Sequence, residues 1–395
     1  MSENNRAEPV SNIENRLKTL RSEKGLSQGE LADMAGLTRQ AIYAIEKSRY
    51  LPTTTVALRL ARSLDCRVED LFSLVSHGEV IEGDLIGPLP PDRARVKVAK
   101  IGNRTIVRPV SELGDVLSLT VPADGLLVAP TKDPPRRGVR KVKIELLRDR
   151  RFVEDEIVVA GCDPAIFLVG EYVRRRHDKA SVVGWTMGST AALDAVANGE
   201  VHVAGLHIQD TRSGEWNLPY LRKHLSSGEF TVVTFARWEA GLMVQRRNPK
   251  RVREVADLGR KDIVIVNRES GSGARELLDR RLGGVGLNSR QVKGYDHVAG
   301  SHIDIARRIA GGGADAGIGL ESVARLFNLD FVPLQNERYD LVIPTQLLHR
   351  HPTLAIFLDT IVSRVFRSEI EALGGYDTRE TGTIRELKRQ AKLPT

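Results

Sequence analysis

From Glu156 onward the apolar segments are short and continuous rather than alternating: Ile157-Val158-Val159, Val182-Val183, Val201 to Ile208, Ile263 to Val266 and Leu341-Val342-Ile343. An alternating strand leaves one face for water, whereas a continuous apolar strand must be covered on both. With helix-like stretches between them, these segments imply parallel sheets flanked by helices, an α/β architecture. In such sheets a ligand sits beyond the carboxyl ends of the strands, where loops enter helices and backbone amides point outward.

Three loops have the composition for that role. Gly161-Cys162-Asp163-Pro164 follows a strand, with Asp163 expected to cap the next helix and Pro164 to take its first position. Gly184-Trp185-Thr186-Met187-Gly188-Ser189-Thr190 precedes a helix expected over 191–197. Arg268-Glu269-Ser270-Gly271-Ser272-Gly273-Ala274-Arg275 lies between the strand at 263–266 and a helix expected over 276–281. Glycines let amides approach an anion, hydroxyls add donors, and each helix N-terminus contributes favourable potential. The candidate ligand-binding residues are Cys162, Asp163, Thr186, Gly188, Ser189, Thr190, His207, Ser270, Gly271, Ser272 and Gly273, with Arg237 and Arg275 as anion partners. Taken singly, each loop is equally a plain strand-to-helix turn, and each arginine equally half of a surface ion pair. Asp315, in a glycine-rich turn, reads as a capping residue.

His202 and His207 stand five apart on an expected strand, on opposite faces, so they do not share an ion. No metal-ligand set is read, and no cofactor motif. GxSxG, GxxxxGK[ST], HExxH and GxGxxG are all absent, so no catalytic residue is assigned.

The first 76 residues have a different period. Ile13, Leu17 and Leu20, then Leu31, Met34 and Ala35, then Ile42 and Ile45, then Val56, Leu60 and Leu64, then Leu71 and Phe72 recur at helical spacing. Ser27-Gln28-Gly29-Glu30 is a capping box, Ala35-Gly36-Leu37 a tight turn, and Thr38 is placed to cap the following helix. Two capped helices around a glycine turn form a helix-turn-helix, whose second helix enters the DNA major groove. Thr38, Arg39, Gln40, Tyr43 and Lys47 are then the candidate DNA-contacting residues; Arg suits guanine and Gln adenine, while Gln28 is placed to hold a phosphate.

Between these regions, residues 77–150 carry Gly, Pro and β-branched residues: short strands around Val96 to Ile101, Ile106-Val107, Val116 to Leu119 and Leu126 to Val128, with turns at Gly102-Asn103 and Asp124-Gly125. This reads as a β-rich connector, ending in a basic run from Lys132 to Lys141 that either lies along phosphates or is simply solvated. Lys and Arg outnumber Asp and Glu nine to four over Arg16 to Arg62 and fifteen to seven over Pro91 to Arg151, within a net charge of +8. A polyanionic partner fits that surplus. Cys66 and Cys162 have no CxxC partner, which argues against a disulfide framework or a structural zinc site.

Residues 13 to 75, through Gly25-Leu26-Ser27-Gln28, Gly36-Leu37-Thr38-Arg39-Gln40, Ile45-Glu46, Leu51-Pro52 and Val68-Glu69-Asp70-Leu71-Phe72, closely resemble the lambda-repressor-like (XRE) family; Ser48 stands where that family usually has glycine. Residues 153 to 385, through Gly205-Leu206-His207, Asp210, Glu215-Trp216-Asn217, Gly241-Leu242, Asn248-Pro249-Lys250, the 267–275 loop and the 313–319 segment, resemble the periplasmic-binding-protein-like domain related to molybdate-binding and LysR-type effector domains. That resemblance implies two α/β lobes joined by crossovers near Thr231 to Ala236 and Arg338 to Pro344, with a second lobe over about 237–337 of a 151–395 domain. The expected fold is multidomain: an all-α helix-turn-helix domain, a small β-rich connector and a two-lobed α/β ligand-binding domain.

The expected function is sequence-specific transcription regulation, non-enzymatic, with a double-stranded DNA operator as partner and a small, anionic effector. The resemblance favours molybdate, tungstate or a molybdopterin-related compound. A homodimer or higher even oligomer would place two reading heads on two half-sites. Met1 to Val10 lacks a secretory pattern and no apolar run of about 18 residues occurs, so a cytoplasmic location without membrane contact is expected. The alternatives are a small-molecule enzyme with an autoregulatory DNA-binding head, and an interaction protein with a degenerate cleft.

Overall fold

The computed structural model describes residues 13–74, 78–91, 93–113, 121–130, 139–177, 180–225 and 229–387. The strand expected at Val116 to Leu119, the N-terminal decapeptide and the basic run up to Gly138 lie outside them. Contacts divide the chain into two compact units, residues 1–81 with 145–149, and residues 82–144 with 150–395.

In the first unit five short helices, α1 (Leu17–Glu23), α2 (Gln28–Ala35), α3 (Arg39–Glu46), α4 (Thr54–Ser63) and α5 (Val68–Leu71), enclose Leu17, Leu31, Ile42, Ile45, Leu60, Leu64 and Leu71, all fully buried. Each expected helix start has its cap. The Glu30 amide donates to Ser27 Oγ at 3.2 Å while the Ser27 amide donates to Glu30 Oε2 at 2.7 Å, and the Ala41 amide donates to Thr38 Oγ1 at 3.1 Å. Gly36, at φ +64°, takes the left-handed turn between α2 and α3. Ser48 holds φ +53°, a left-handed conformation that glycine adopts more readily. The ends differ from the helical expectation. Ile13 and Phe72 belong to strands β1 (Ile13–Asn15) and β2 (Phe72–Leu74), which pair antiparallel, because α5 ends after four residues and Phe72 is already extended.

The second unit begins with β3 (Val80–Leu85), β4 (Arg95–Ile101), β5 (Arg104–Pro109), β6 (Gly125–Pro130) and β7 (Arg140–Leu146), closed into a barrel in the order β3-β5-β4-β6-β7. The segment expected as a connector is therefore a folded barrel, and β3 occupies part of the stretch read as linker. Ala99, Ile101 and Ile106 share one core with Val158, Trp185, Val196 and Leu206 of the α/β domain. Lys97, buried, reaches Asp124 at 2.7 Å and Glu156 at 2.9 Å.

After α6 (Arg150–Glu154) come β8 (Glu156–Gly161), α7 (Ala165–Arg176), β9 (Ser181–Thr186), α8 (Ser189–Ala197), β10 (Val203–Leu206) and α9 (Leu218–His224). β11 (Phe230–Val244) then leads to lobe two: β12 (Asn267–Arg268), α10 (Gly273–Gly284), β13 (Val298–Ala299), α11 (His302–Ala310), β14 (Ala316–Leu320) and α12 (Glu321–Leu326). The chain returns through β15 (Asp330–Pro344) to α13 (Thr345–Arg350), α14 (Pro352–Val362), α15 (Arg364–Ala372), β16 (Tyr376–Asp377) and β17 (Ile384–Leu387). The main sheet runs β14-β11-β15-β10-β8-β9, with β16 and β17 also on β11.

In the main sheet the parallel expectation holds for β8 with β9 and β10, and in lobe two β12 pairs parallel with β13. The sheet is mixed because β11 and β15 are one outgoing and one returning crossover: they pair antiparallel from Phe230↔Pro344 to Val244↔Asp330, and β15 runs antiparallel to β10. Two loops are shorter than expected, since α8 starts at Ser189 and α10 at Gly273. Ile263 to Val266 contributes a single bridge, Ile265↔Ala316, and the ladder follows at β12.

Candidate functional site

On the helix-turn-helix unit, the burial of Ile42 and Ile45 turns the opposite face of α3 outward, where Arg39, Gln40 and Tyr43 are exposed together with the flanking Thr38 and Lys47. Arg49 stacks over the Tyr43 ring at 5.3 Å. Gln28 is placed differently from the phosphate role read for it: half-buried, it donates to Glu46 Oε2 at 2.7 Å, and Arg21 pairs with the same carboxylate. Its amide is committed to locking α2 against α3.

In the α/β domain the three loops converge on His207, which follows β10. The Thr190 amide donates to the Gly271 carbonyl at 3.3 Å and its hydroxyl to the same oxygen at 3.0 Å, so lobe one touches lobe two at this point. Gly188 lies against Glu269 and Ser272, and Gly273 against the His207 ring, each without room for a methyl group. The Ser189 hydroxyl accepts from the His207 amide at 3.2 Å. Ser272 caps α10, accepting from Arg275 at 3.3 Å.

His207 is fixed from both sides. Its Nε2 lies 3.2 Å from Cys162 Sγ and its Nδ1 2.7 Å from Glu337 Oε2, while Trp238 Nε1 donates to the same carboxylate oxygen at 3.2 Å. Burial works against charge on this ring, but Cys162 and Glu337 outweigh it and hold the imidazole well above its ordinary pKa. Asn217 props up the loop after His207: its Oδ1 accepts from Ile208 at 2.8 Å and its Nδ2 donates to Asp340 at 2.8 Å.

Among the described residues, Asp163 Oδ2 and Arg268 Nη1 are buried here without a hydrogen-bond partner, while Tyr339 Oη and the His302 ring find only backbone groups, of Cys162 and Asp163 and of Ile318, at the edge of bonding geometry. Buried polar groups are almost always satisfied, so a cluster of orphans marks a place where something else completes them. Asp163 caps as expected, accepting from the Ala165 amide at 2.8 Å, and accepts from Tyr376 at 2.7 Å; burial, only partly opposed by these donors and His207, lifts its carboxyl to about 6. His302 is held neutral, well below the ordinary value, by burial and then by the Arg268 and His207 cations.

Not every expected residue joins this cluster. Arg237 alternates with Trp238 to the other face of β11, where it pairs with Glu380 at 3.1 Å beside Asn336, Asp377 and Arg379. Arg275 stays within lobe two, its guanidinium 3.8 Å from the Tyr295 ring centroid and donating to the Arg268 carbonyl at 3.1 Å. Ser270 is exposed and Thr186 half-buried. Glu337, Trp238, Tyr339, Arg268 and His302 were not singled out as site residues. Glu337, Trp238 and Tyr339 lie on the crossovers, so the crossover assignment was the signal available for them.

A helix-turn-helix family model matches residues 17–71 and a PBP superfamily domain model matches residues 170–362. The uncharacterized protein YvgK of Bacillus subtilis is 32% identical over 228 residues, covering 58% of this chain and 73% of that protein. The uncharacterized HTH-type transcriptional regulator YgzD of the same organism is 39% identical over 62 residues, covering 16% of this chain and 94% of its own length. Among solved structures, an ABC-type phosphate transport receptor from Vibrio cholerae is similar at 16% identity, covering 56% of this chain and 98% of that one, with a TM-score of 0.37 that carries no argument. Read with the capped α2–α3 pair and the two lobes joined by β11 and β15, these matches show that the chain belongs to the XRE-type helix-turn-helix proteins fused to a periplasmic-binding-protein-like domain.

Proposed function

We propose that this protein is a DNA-binding transcription regulator whose two-lobed domain reports a small molecule held between its lobes. The observation that carries the reading is the set of unpartnered buried polar atoms drawn from both lobes around His207. A molecule that completes atoms of both lobes binds the closed arrangement better than an open one, and so shifts the population toward closure. The exposed α3 face supplies the DNA-reading surface, with Arg39 and Gln40 at its leading end.

The effector class is a small anion. Arg268, bidentate on Glu269 through Nε and Nη2, keeps Nη1 as a buried unused donor, His207 favours the protonated form, and the N-termini of α8 and α10 converge here. Molybdate, tungstate and a molybdopterin-related compound are the first candidates, from the family resemblance. A cytoplasmic dimer on a two-fold operator is the working assembly. The test is a thermal-shift screen of oxyanions on the full-length protein, followed by operator binding with each hit. Failure to prefer any genomic fragment over random duplex, with or without hits, would remove the regulator assignment.

One observation favours a second reading. Cys162, His207 and Glu337 line up as nucleophile, base and orienting carboxylate. A catalytic thiol would turn over activated esters or thioesters and lose that activity in Cys162→Ala; a regulator would show no turnover at all.

A further inference from the structure

We propose that Cys162, His207 and His302 form a binding site for a thiophilic divalent cation of the zinc type, closing lobe one onto lobe two. Their ligating atoms, one sulfur and two imidazole nitrogens, all lie within 4.8 Å of one another, and all three residues are buried. Cys162 and His207 end strands of lobe one, and His302 is the first residue of α11 in lobe two. A cation here would therefore be shared across the cleft.

Three features separate this cluster from a chance grouping. His302 is fully buried, and its ring has only the Ile318 backbone within hydrogen-bonding reach, so at least one ring nitrogen is left without a partner among the described residues, a cost that a metal bond removes. Cys162 Sγ and His207 Nε2 are 3.2 Å apart, close to the edge of about 3.5 Å that tetrahedral zinc–sulfur and zinc–nitrogen bond lengths imply. The other nitrogen of His207 is tied to the Glu337 carboxylate, which Trp238 holds in turn, leaving Nε2 to face the sulfur. A carboxylate behind a ligating histidine fixes ring orientation and raises basicity, as in most histidine metal sites. The donor set of one thiolate and two imidazoles selects zinc, cobalt or copper over magnesium or calcium.

On binding, the cation displaces the protons held on Cys162 Sγ and His207 Nε2 to solvent; the sulfur takes one coordination position, and the imidazoles of His207 and His302 take two more. A three-residue donor set would leave a fourth position for an added ligand such as the small anion of the preceding section. The inference deepens the reading of the cleft as an effector site and rests on it for any consequence at DNA, but cation binding itself needs no DNA.

The experiment uses full-length, untagged, reduced protein stripped by a chelator and titrated with Co²⁺ alone. The expected result is one equivalent per chain, with a thiolate-to-cobalt charge-transfer band and tetrahedral d–d bands, both bleached by Zn²⁺. Cys162→Ser should abolish the charge-transfer band, Cys66→Ser should retain it, and His302→Gln and Glu337→Gln should each weaken cobalt affinity by about 10–100-fold, with folding checked by circular dichroism. Absence of the band in the native chain overturns the proposal. So does a band that survives Cys162→Ser, or unchanged affinity in a folded His302→Gln protein. Cobalt binding without any operator preference would refute the regulator reading and leave the site standing; an operator that answers to oxyanions in a protein that binds no cobalt would do the reverse.

Discussion

A single methyl group at residue 273 should hold the two lobes apart. A Cβ built on Gly273 stands 2.5 Å from His207 Cε1 and 2.6 Å from both His207 Nδ1 and the His207 carbonyl oxygen. Non-bonded carbon atoms prefer about 3.5–4.0 Å, so α10 and β10 would have to part by about 1 Å. The ring cannot swing away, because Glu337 holds Nδ1 and Cys162 lies against Nε2. The carbonyl moves only with its loop, which Asn217 anchors. Overpacking of this kind costs about 1–3 kcal/mol, which lowers the closed-to-open ratio by about 5–150-fold. Within helix α10 the same substitution is intrinsically favourable, so a general weakening of the helix would not mimic the result. The readout is amide hydrogen exchange at Thr190, whose N–H donates across the cleft to Gly271. In Gly273→Ala that amide should exchange faster by the same factor while β8 amides keep native protection. A folded Gly273→Ala protein with native exchange at Thr190 would refute the closure argument.

Three further outcomes follow from the same structure. Arg39→Ala should change the preferred base at one operator position and cost about 1–3 kcal/mol there, read by selection from a randomised duplex pool. Acidification from pH 7 to 5 should remove about 2 kcal/mol from the second unit through His202. Burial, then His351, push that ring down to about 3, so in this window the unfolded chain takes up a proton that the folded chain refuses, and stability falls with pH. Urea titrations of the native and His202→Gln proteins at the two pH values check this: His302 and Asp163 titrate in both, so the difference between the two pH dependences is the His202 share and should be about 2 kcal/mol. Lys97→Met should destabilise the same unit by about 3–5 kcal/mol, since Asp124 and Glu156 lose their shared buried cation; a shift under 1 kcal/mol in urea would contradict it.

The helix-turn-helix was legible residue by residue because its determinants are local. Caps at Ser27 and Thr38, the left-handed Gly36 and the apolar period that carries Ile42 and Ile45 depend on neighbours within about four positions along the chain. The strand-to-helix loops were legible for the same reason, down to Asp163 as a helix-capping residue, whereas the cap at Ser272 was not read because the helix was expected to start at 276. The segments expected as crossovers fall on β11 and β15, yet the residues on those strands that reach His207 were not identified. Where local signals ran out, the reading missed β1 and β2, which exist only because segments about 60 residues apart meet (Ile13↔Leu74 to Asn15↔Phe72); the β-rich connector was expected, but not that its strands close into a barrel.

Caps, turns and apolar periods are short-range free energies, and the order of residues alone determined them here: the reading helix, the α/β class, the glycine loops and the two crossings. Which side chains meet at His207 was decided by tertiary structure, since Cys162 lies 45 residues away and Glu337 130 residues away. Only the antiparallel register of β11 on β15 and the docking of α11 bring Glu337, Trp238 and His302 to one point. No periodicity encodes that meeting, because the energy that selects it is paid across the whole fold rather than along any one segment.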